Sequence, residues 1–536
     1  MSNDPLALIS TRQTPQHEQA DPRQRQNRAG GYAFVLDDLA RLHRFLTLGT
    51  TGGTYYASER ELTRDNAGVV VELARTRAAD VVAAVLDISL TGRAPKQNPA
   101  LFALAAAAKL GDDDGRRAAL AAVPLVARTG THLFQFVGYL QQFGGWGRGT
   151  RRAIGNWYVG PDRDVDAIAY QVLKYRQRDG WSHADLLRLS HPVTTEPVRR
   201  ELFDWVHGRA ADLSGLPLVT AFERVQASTD VTEVVDVIAL NPGLSWEMIP
   251  DRFLNEPKVW DVLLANGLPQ TALIRQLPRL TRLGLLDPLG SWTPIVAGQL
   301  ADAGRLKKAR VHPVNVLVAQ RTYSSGRGVR GGQTWTPSQP IVDALDAAFY
   351  AAYDAVEPTG KRLLLALDVS GSMTAGVSGL PITCREASAA LALVTAATES
   401  SYELVGFTSK GDYRRSELTR LAISPRQRLD DAIRAVSGLP FGGTDCSLPM
   451  QYALRRKIAV DTFVIYTDNE TWHGEIHPHQ ALQRYRREMG IDARLVVVAM
   501  TATGSTIADP SDPGMLDISG FDSAVPGLIA DFTRGP

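Results

Sequence analysis

Two hydrophobic periods divide the chain. From about Tyr32 to about Val356, apolar residues recur at intervals of three and four. Examples are Val69, Val70 and Leu73; Val81, Val82, Val85 and Leu86; Ile168, Val172 and Tyr175; and Leu263, Leu273 and Leu277. This spacing predicts amphipathic helices, and the Gly, Pro and Asp breaks between them predict that most are short. So long a run of short helices predicts stacked helix pairs, an α-solenoid, although the sequence shows no clean internal repeat. Near Lys361 the period changes. Arg362–Val369 is an almost continuous apolar run, as expected of a strand buried on both faces. Tyr402–Thr408, Thr462–Thr467 and Arg494–Met500 read as further strands. Ile382–Ser400, Arg426–Val436, Leu448–Lys457 and Pro478–Glu488 read as helices. Alternating strands and helices predict a doubly wound α/β domain. The expected organisation is a flexible polar arm at 1–28, a helical domain at 29–358 and an α/β domain at 359–536.

Composition narrows the function classes. The 58 basic and 57 acidic residues nearly cancel, to a net +1, so partners must be selected by local patches. Two cysteines, Cys384 and Cys446, cannot build a disulfide framework, and a reducing, cytoplasmic compartment is expected. The polar N-terminal segment has no apolar core of signal-peptide length. The most apolar stretches are shorter than the ~20 residues that span a bilayer, so no membrane partner is expected.

The α/β half carries the first candidate chemistry. Its first strand runs into Asp368-Val369-Ser370-Gly371-Ser372, a D-x-S-x-S segment. In an open parallel sheet, ligands bind beyond the carboxyl ends of the strands. One carboxylate and two hydroxyls there form a hard oxygen set, suited to Mg²⁺ or Mn²⁺. Thr444 on a Gly-Gly turn and Asp468 after the strand Thr462–Thr467 complete what such a site needs. The three elements together resemble the metal-ion-dependent adhesion site of von Willebrand factor A domains. That resemblance implies Asp368, Ser370, Ser372 and Thr444 as direct or near-direct ligands of a divalent metal ion, and Asp468 as a ligand directly or through water. Two carboxylates among five ligands leave the cation electrophilic, open to an acidic protein side chain or a phosphate. No nucleophile with its base is recognisable nearby, so the protein is expected not to be an enzyme. His473, His477 and His479 lack the H-E-x-x-H spacing of a zinc hydrolase and read as a rim loop. Gly326–Gly331 matches G-x-G-x-x-G literally, but Gln333–Pro340 follows with two prolines, so no helix opens there and the dinucleotide reading fails.

Positive charge gathers in two places in the helical half. Ten basic residues face six acidic ones between Arg148 and Arg200, and seven basic residues and no acid lie between Asp302 and Asp343. The candidate phosphate-binding residues are Arg148, Arg151, Arg152, Lys174, Arg176, Arg178, His183 and His191 in the first cluster, and Lys308, Arg310, Arg327 and Arg330 in the second. Guanidinium groups suit phosphate. Interleaved Trp146, Trp157, Tyr158, Tyr170, Tyr175 and Trp181 offer rings on which bases can stack. Ser182-x-x-Asp185 predicts a capping box opening a short helix that ends near His191-Pro192.

Longer motifs then point to a family. Asn27–Tyr32 (NRAGGY), Arg44–Leu46 (RFL), Gly52–Tyr56 (GGTYY), Trp146–Gly149 (WGRG), Lys174–His183 (KYRQRDGWSH), Leu186–His191 (LLRLSH), Lys308–Pro313 (KARVHP), Ala344–Tyr350 (ALDAAFY) and Thr467–Trp472 (TDNETW) resemble the Ro ribonucleoprotein autoantigen family. That family joins a TROVE module to a von Willebrand A domain. The resemblance implies HEAT-like helical repeats forming a ring closed by the A domain. It implies small structured Y-like RNAs on the outer surface, with Lys174, Arg178 and His191 in the binding segment. It implies single-stranded 3′ ends of misfolded noncoding RNAs in the central hole, a role in RNA quality control or decay, and an exoribonuclease partner. The competing expectation is a metal-dependent protein-adhesion or adaptor module, resting on the metal set alone.

Overall fold

The structure is a computed structural model. It describes residues 13–50, 57–328, 332–353, 356–377, 380–410, 415–424, 427–437, 442–521 and 523–535. Gly52–Tyr56 and Arg330 lie outside the described residues.

The helical half begins at Asp38–Leu48 and ends at Gln339–Ala351. Local sequence sets the helix limits. Ser58 and Glu61 form a capping box that opens Glu59–Thr76, and Asp112, Thr129 and Asp164 cap later helices through their side chains. Proline occupies the first turn of several others, where its missing N–H costs nothing. Early in the array, helices pack on their neighbour and on the next but one: Ala78–Thr91 on Asn98–Leu110 and Asp113–Val126, and Asn98–Leu110 also on Gly130–Phe143. This layered pairing is the expected solenoid. The array also meets its own beginning. The His312 ring lies 3.1 Å from the Arg93 carbonyl, Asn315 donates to the Pro95 carbonyl at 3.4 Å, and a Cβ on Gly92 would touch Arg310.

Short antiparallel strands β1 (Gln24–Gln26) and β2 (Tyr32–Val35) precede the array, and the hairpin β3 (Gln177–Arg178) and β4 (Trp181–Ser182) interrupts it. The α/β half contains β5 (Leu363–Asp368), β6 (Tyr402–Lys410), β7 (Arg415–Arg420), β8 (Thr462–Thr467), β9 (Arg494–Ala499), β10 (Ser505–Thr506) and β11 (Met515–Ser519). Its six-stranded sheet runs β11-β9-β8-β5-β6-β7, parallel except for the antiparallel edge strand β7. Alternate side chains of β5 enter different cores. Leu363, Leu365 and Leu367 join the core that contains helix Cys384–Thr398; Leu364 and Ala366 join the one containing Leu448–Arg456 and Pro478–Met489. The sheet is therefore covered on both faces, as a doubly wound domain requires. The chain leaves β5 for β6 on one side and returns to β8 on the other, so the carboxyl ends of β5 and β8 form the topological switch point.

The arm is not a free arm over its described part. Residues 13–28 lie on the A domain, with Thr14, Gln16 and Gln24 each at most 1% exposed. At the buried positions, hydrogen bonds within the protein replace water: the Thr14 N–H donates to Gln480, Gln16 to Asp445, and Gln24 meets His477. β10 of the A domain pairs with β2, and buried Arg44 bonds the carbonyls of Thr503 and Ser505, both at 2.8 Å, and Asp517 at 2.5 Å. The other end of the array is fastened by Arg321 to Glu386 and by Asp343 to Arg428. The A domain thus holds both ends of the helical array.

Candidate metal cradle and nucleic-acid interface

All five residues of the proposed metal set meet at the switch point. β5 ends in Asp368, and the turn after it presents Ser370 and Ser372 before and within a short 3-10 helix. β8 delivers Asp468 one residue beyond its end. The loop before Leu448–Arg456 brings Thr444, tied to the first turn by the Gly371 N–H to Gly442 carbonyl bond at 3.1 Å. None of the five is more than 2% exposed. Asp368 accepts from the Ser370 N–H at 2.9 Å and from the Thr467 hydroxyl at 2.7 Å. The Ser370 and Ser372 hydroxyls are 3.0 Å apart.

Two polar atoms of this cradle lack a protein partner: the Thr444 hydroxyl and Oδ2 of Asp468. Burial raises the Asp368 carboxyl above the usual carboxylate range. Burial, then repulsion from Asp368 and Glu470, raises that of Asp468. Two buried carboxylates with inadequate compensation, beside orphaned oxygens, are what a hard cation neutralises. The residues fit Mg²⁺ or Mn²⁺. Cys384 and Cys446, both buried nearby, are pushed up by burial and by the carboxylates, so neither supplies a thiolate. Among the described residues, no group of three or more His, Cys, Asp or Glu is placed to hold a metal. His477 is occupied by Gln24 and the Glu18 carbonyl; His473, His477 and His479 are each at most 6% exposed, and His479 lies in helix Pro478–Met489, so they are packed residues and not an exposed rim loop.

The basic set divides. Arg148, Arg151 and Arg152 are exposed on the first turns of helix Arg148–Val159, at the three- and four-residue spacing that shares a face. Three cations at the positive end of a helix dipole gain no stability from it; the arrangement favours an anion. Arg176 and Arg178, on and beside the β3–β4 hairpin, are exposed. Arg176 lies over the Phe222 ring and Arg178 pairs loosely with Asp179. His191 is exposed at the C-cap of His183–Ser190, held at φ 47. The Ser182–Asp185 capping box is present.

Two residues of that set are not available. His183 is 2% exposed, bonded to the Tyr158 hydroxyl at 2.8 Å and stacked on Trp157; burial lowers its pKa to about 4. Lys174 has a side chain only 8% exposed, paired with Glu247 at 3.4 Å and donating to the Tyr170 hydroxyl at 3.0 Å. Both build the scaffold beneath the interface. Trp157 and Tyr158 are fully buried and cannot stack on bases, whereas Trp146, Tyr170, Tyr175 and Trp181 are half-buried. Helical position decides this: the indole of Trp157 donates to the Ala127 carbonyl inside the core. A groove of about 500 Å³ beside Trp181, lined by Gln135, Gln141, Gln142, Tyr139 and Asp179, was not legible, because glutamines on a helix carry no motif.

In the second cluster, Lys308, Arg310 and Arg327 are exposed. Arg327 lines a polar cavity of about 450 Å³ at the seam between array and A domain, with Arg321, Arg434 and Asp430. The 326–328 segment forms a bridge between Arg327 and Thr334, not a helix start, as the rejected dinucleotide reading requires. An apolar cleft of about 370 Å³ beside Phe45 and Phe102 shares Tyr139 and Gln142 with the groove beside Trp181.

Comparison with known proteins agrees with this division. Residues 25–214 and 238–325 match the family described as TROVE domain, and residues 362–533 match the Ro60 vWA domain. The chain is 40% identical to the RNA-binding protein RO60 of Deinococcus radiodurans, over 99% of each chain. It is 36% identical to the Caenorhabditis elegans protein of the same name, over 97% of this chain and 91% of that one. The crystal structure of the Deinococcus radiodurans RO (RSR) protein aligns with 93% of this chain and 100% of its own, at TM-score 0.70 and 40% identity. No helix among the described residues is long and apolar enough to cross a membrane.

Proposed function

Since the chain belongs to the Ro60 family, built from a TROVE domain and a Ro60-type von Willebrand A domain, we propose that it is a nonenzymatic RNA-binding protein of RNA quality control or decay. The observation that carries the reading is the exposed cationic face formed by Arg148, Arg151 and Arg152 on a helix terminus. Arg178 and His191 extend the basic segment. This face takes the phosphates of a small structured, Y-like RNA, while half-buried Trp181 and its glutamine groove take unpaired bases. Single-stranded 3′ ends are drawn to the hole of the closed array, and an exoribonuclease acts on RNA so presented. The cytoplasm is the proposed compartment. The test is binding of a structured RNA with and without a single-stranded 3′ tail across a salt series. Affinity that rises with the tail and falls with salt supports the reading; a flat response to both overturns it.

The cradle of Asp368, Ser370, Ser372, Thr444 and Asp468 is proposed to hold Mg²⁺ or Mn²⁺. Bound there, the ion supplies Lewis acidity without redox chemistry. The residues' own part is to present five oxygens in fixed positions. A second reading makes this cradle a docking point for an acidic protein ligand, favoured by the two oxygens without protein partners. A protein captured only with Mg²⁺ and retained after ribonuclease treatment supports it; capture indifferent to chelator overturns it.

A further inference from the structure

The two cradle residues with orphaned atoms, Thr444 and Asp468, sit on different loops, and a residue from the far end of the chain lies between those loops. Gln16 is fully buried. Its amide nitrogen donates to Asp445 Oδ1 at 2.7 Å, next to Thr444, and to the Ile476 carbonyl at 2.9 Å. Its amide oxygen accepts from the Thr471 hydroxyl, three residues beyond Asp468. Its backbone N–H donates to the Gly474 carbonyl at 2.9 Å and its carbonyl accepts from the Tyr32 N–H at 2.8 Å. Every polar group of the residue is used. The packing leaves no slack: a Cβ on Gly474, which has φ +131, would lie 2.7 Å from both Asp445 and the Gln16 amide, and a Cβ on Gly31 would overlap the Thr471 carbonyl. Downstream, Asn27 donates to the Thr471 carbonyl at 2.6 Å and the Ala29 N–H to Glu470 at 3.2 Å. The strap then passes through β2 into the first helix of the array.

We propose that Gln16 is a positioning residue of the cation site, locking the loop that carries Thr444 against the loop that carries Asp468. The inference rests on the cation reading above. The loops also meet directly, the Thr444 carbonyl accepting from the Trp472 and His473 N–H groups at 3.2 and 3.0 Å; without the amide that contact loses the brace that fixes the separation of the orphaned oxygens. Groups that hold ligands in place typically govern metal affinity by ten- to a hundred-fold.

The experiment uses the full chain, with Mn²⁺ titrated calorimetrically and amide exchange followed over residues 442–447 and 468–476 in chelator. Gln16→Met keeps length and volume but removes the amide. Arg23→Ala releases the strap from Asp509 and Ser511, contacts that touch neither loop. Asp468→Ala is the site control. The expected result is Mn²⁺ binding at least about ten-fold weaker in Gln16→Met, faster exchange in both loops, and unchanged affinity in Arg23→Ala. Affinity unaltered by Gln16→Met overturns the proposal alone, and so does an equal loss in Arg23→Ala, which reports only general loosening. Absence of saturable binding in the wild type, or binding that survives Asp468→Ala, overturns the cation reading and the proposal with it.

Discussion

The exposed arginine face and the oxygen cradle proposed for a cation hold their charge in opposite ways. Arg148, Arg151, Arg152, Arg178 and His191 are exposed, and each reaches solvent from a helix or hairpin that would fold without it. Asp368 and Asp468 are at most 1% exposed, and their surroundings raise the cost of the very charge the site needs. An exposed cation costs little to display and is weakened by salt. A buried carboxylate pair stays until something neutralises it. The array therefore offers an interface separable from its stability, while the A domain offers one that is not.

The largest expected effect breaks the cradle. Asp368→Ala should abolish calorimetric Mn²⁺ binding and leave RNA affinity at the arginine face unchanged. In the wild type, cation at a hundred-fold excess over Kd should stabilise the fold by about 2.7 kcal/mol, read as a rise in melting temperature that the variant lacks. Next, Arg148, Arg151 and Arg152 changed together to Ala should reduce the slope of log affinity against log salt by up to about 3. Each substitution should move stability by less than ~0.5 kcal/mol. An unchanged slope would place the phosphates elsewhere.

Acid should separate scaffold from surface. Burial holds His183 near 4 and His312 near 3, so in the folded chain they remain neutral below pH 6.5, where the unfolded chain takes up protons. The folded state therefore loses stability as pH falls from about 6.5 through 4, by roughly 3 kcal/mol for His183 alone. Denaturant midpoints measured across that window check this, and His183→Gln should flatten the dependence. The smallest expected effect is Arg178→Ala. Its exposed pair with Asp179 predicts under ~0.5 kcal/mol of stability, but about one unit of salt slope. Lys174→Met should do the reverse, destabilising through Glu247 while leaving the slope alone.

What the sequence revealed follows the same division. The cradle set was legible because Asp368, Ser370 and Ser372 fall within five residues, directly where a strand pattern stops. The basic face was legible as a density of arginines, but not residue by residue. His183 and Lys174 carry the right chemistry in the right segment, yet turn inward, since one-dimensional spacing does not say which face of a short helix the neighbouring elements cover. Arg199 in the same stretch bonds the carbonyls of Tyr158 and Arg163. Edge strand β7, Arg415–Arg420, was missed because its alternation is polar, as suits a strand with one free edge. Gln16 was illegible for a different reason. A buried glutamine satisfied on every side has the composition of a solvated one.

The strap is made long before the residues that fasten it. Gln16 and Asp445 are 429 positions apart. At a synthesis rate of roughly 5–20 residues per second, Gln16 waits roughly 20 to 90 seconds for its partner to be made. A strand-forming apolar segment left waiting that long would invite aggregation. A segment of glutamines, arginines and aspartates can wait in water. The polarity that looks like disorder is suited to a segment made long before the partners that fasten it.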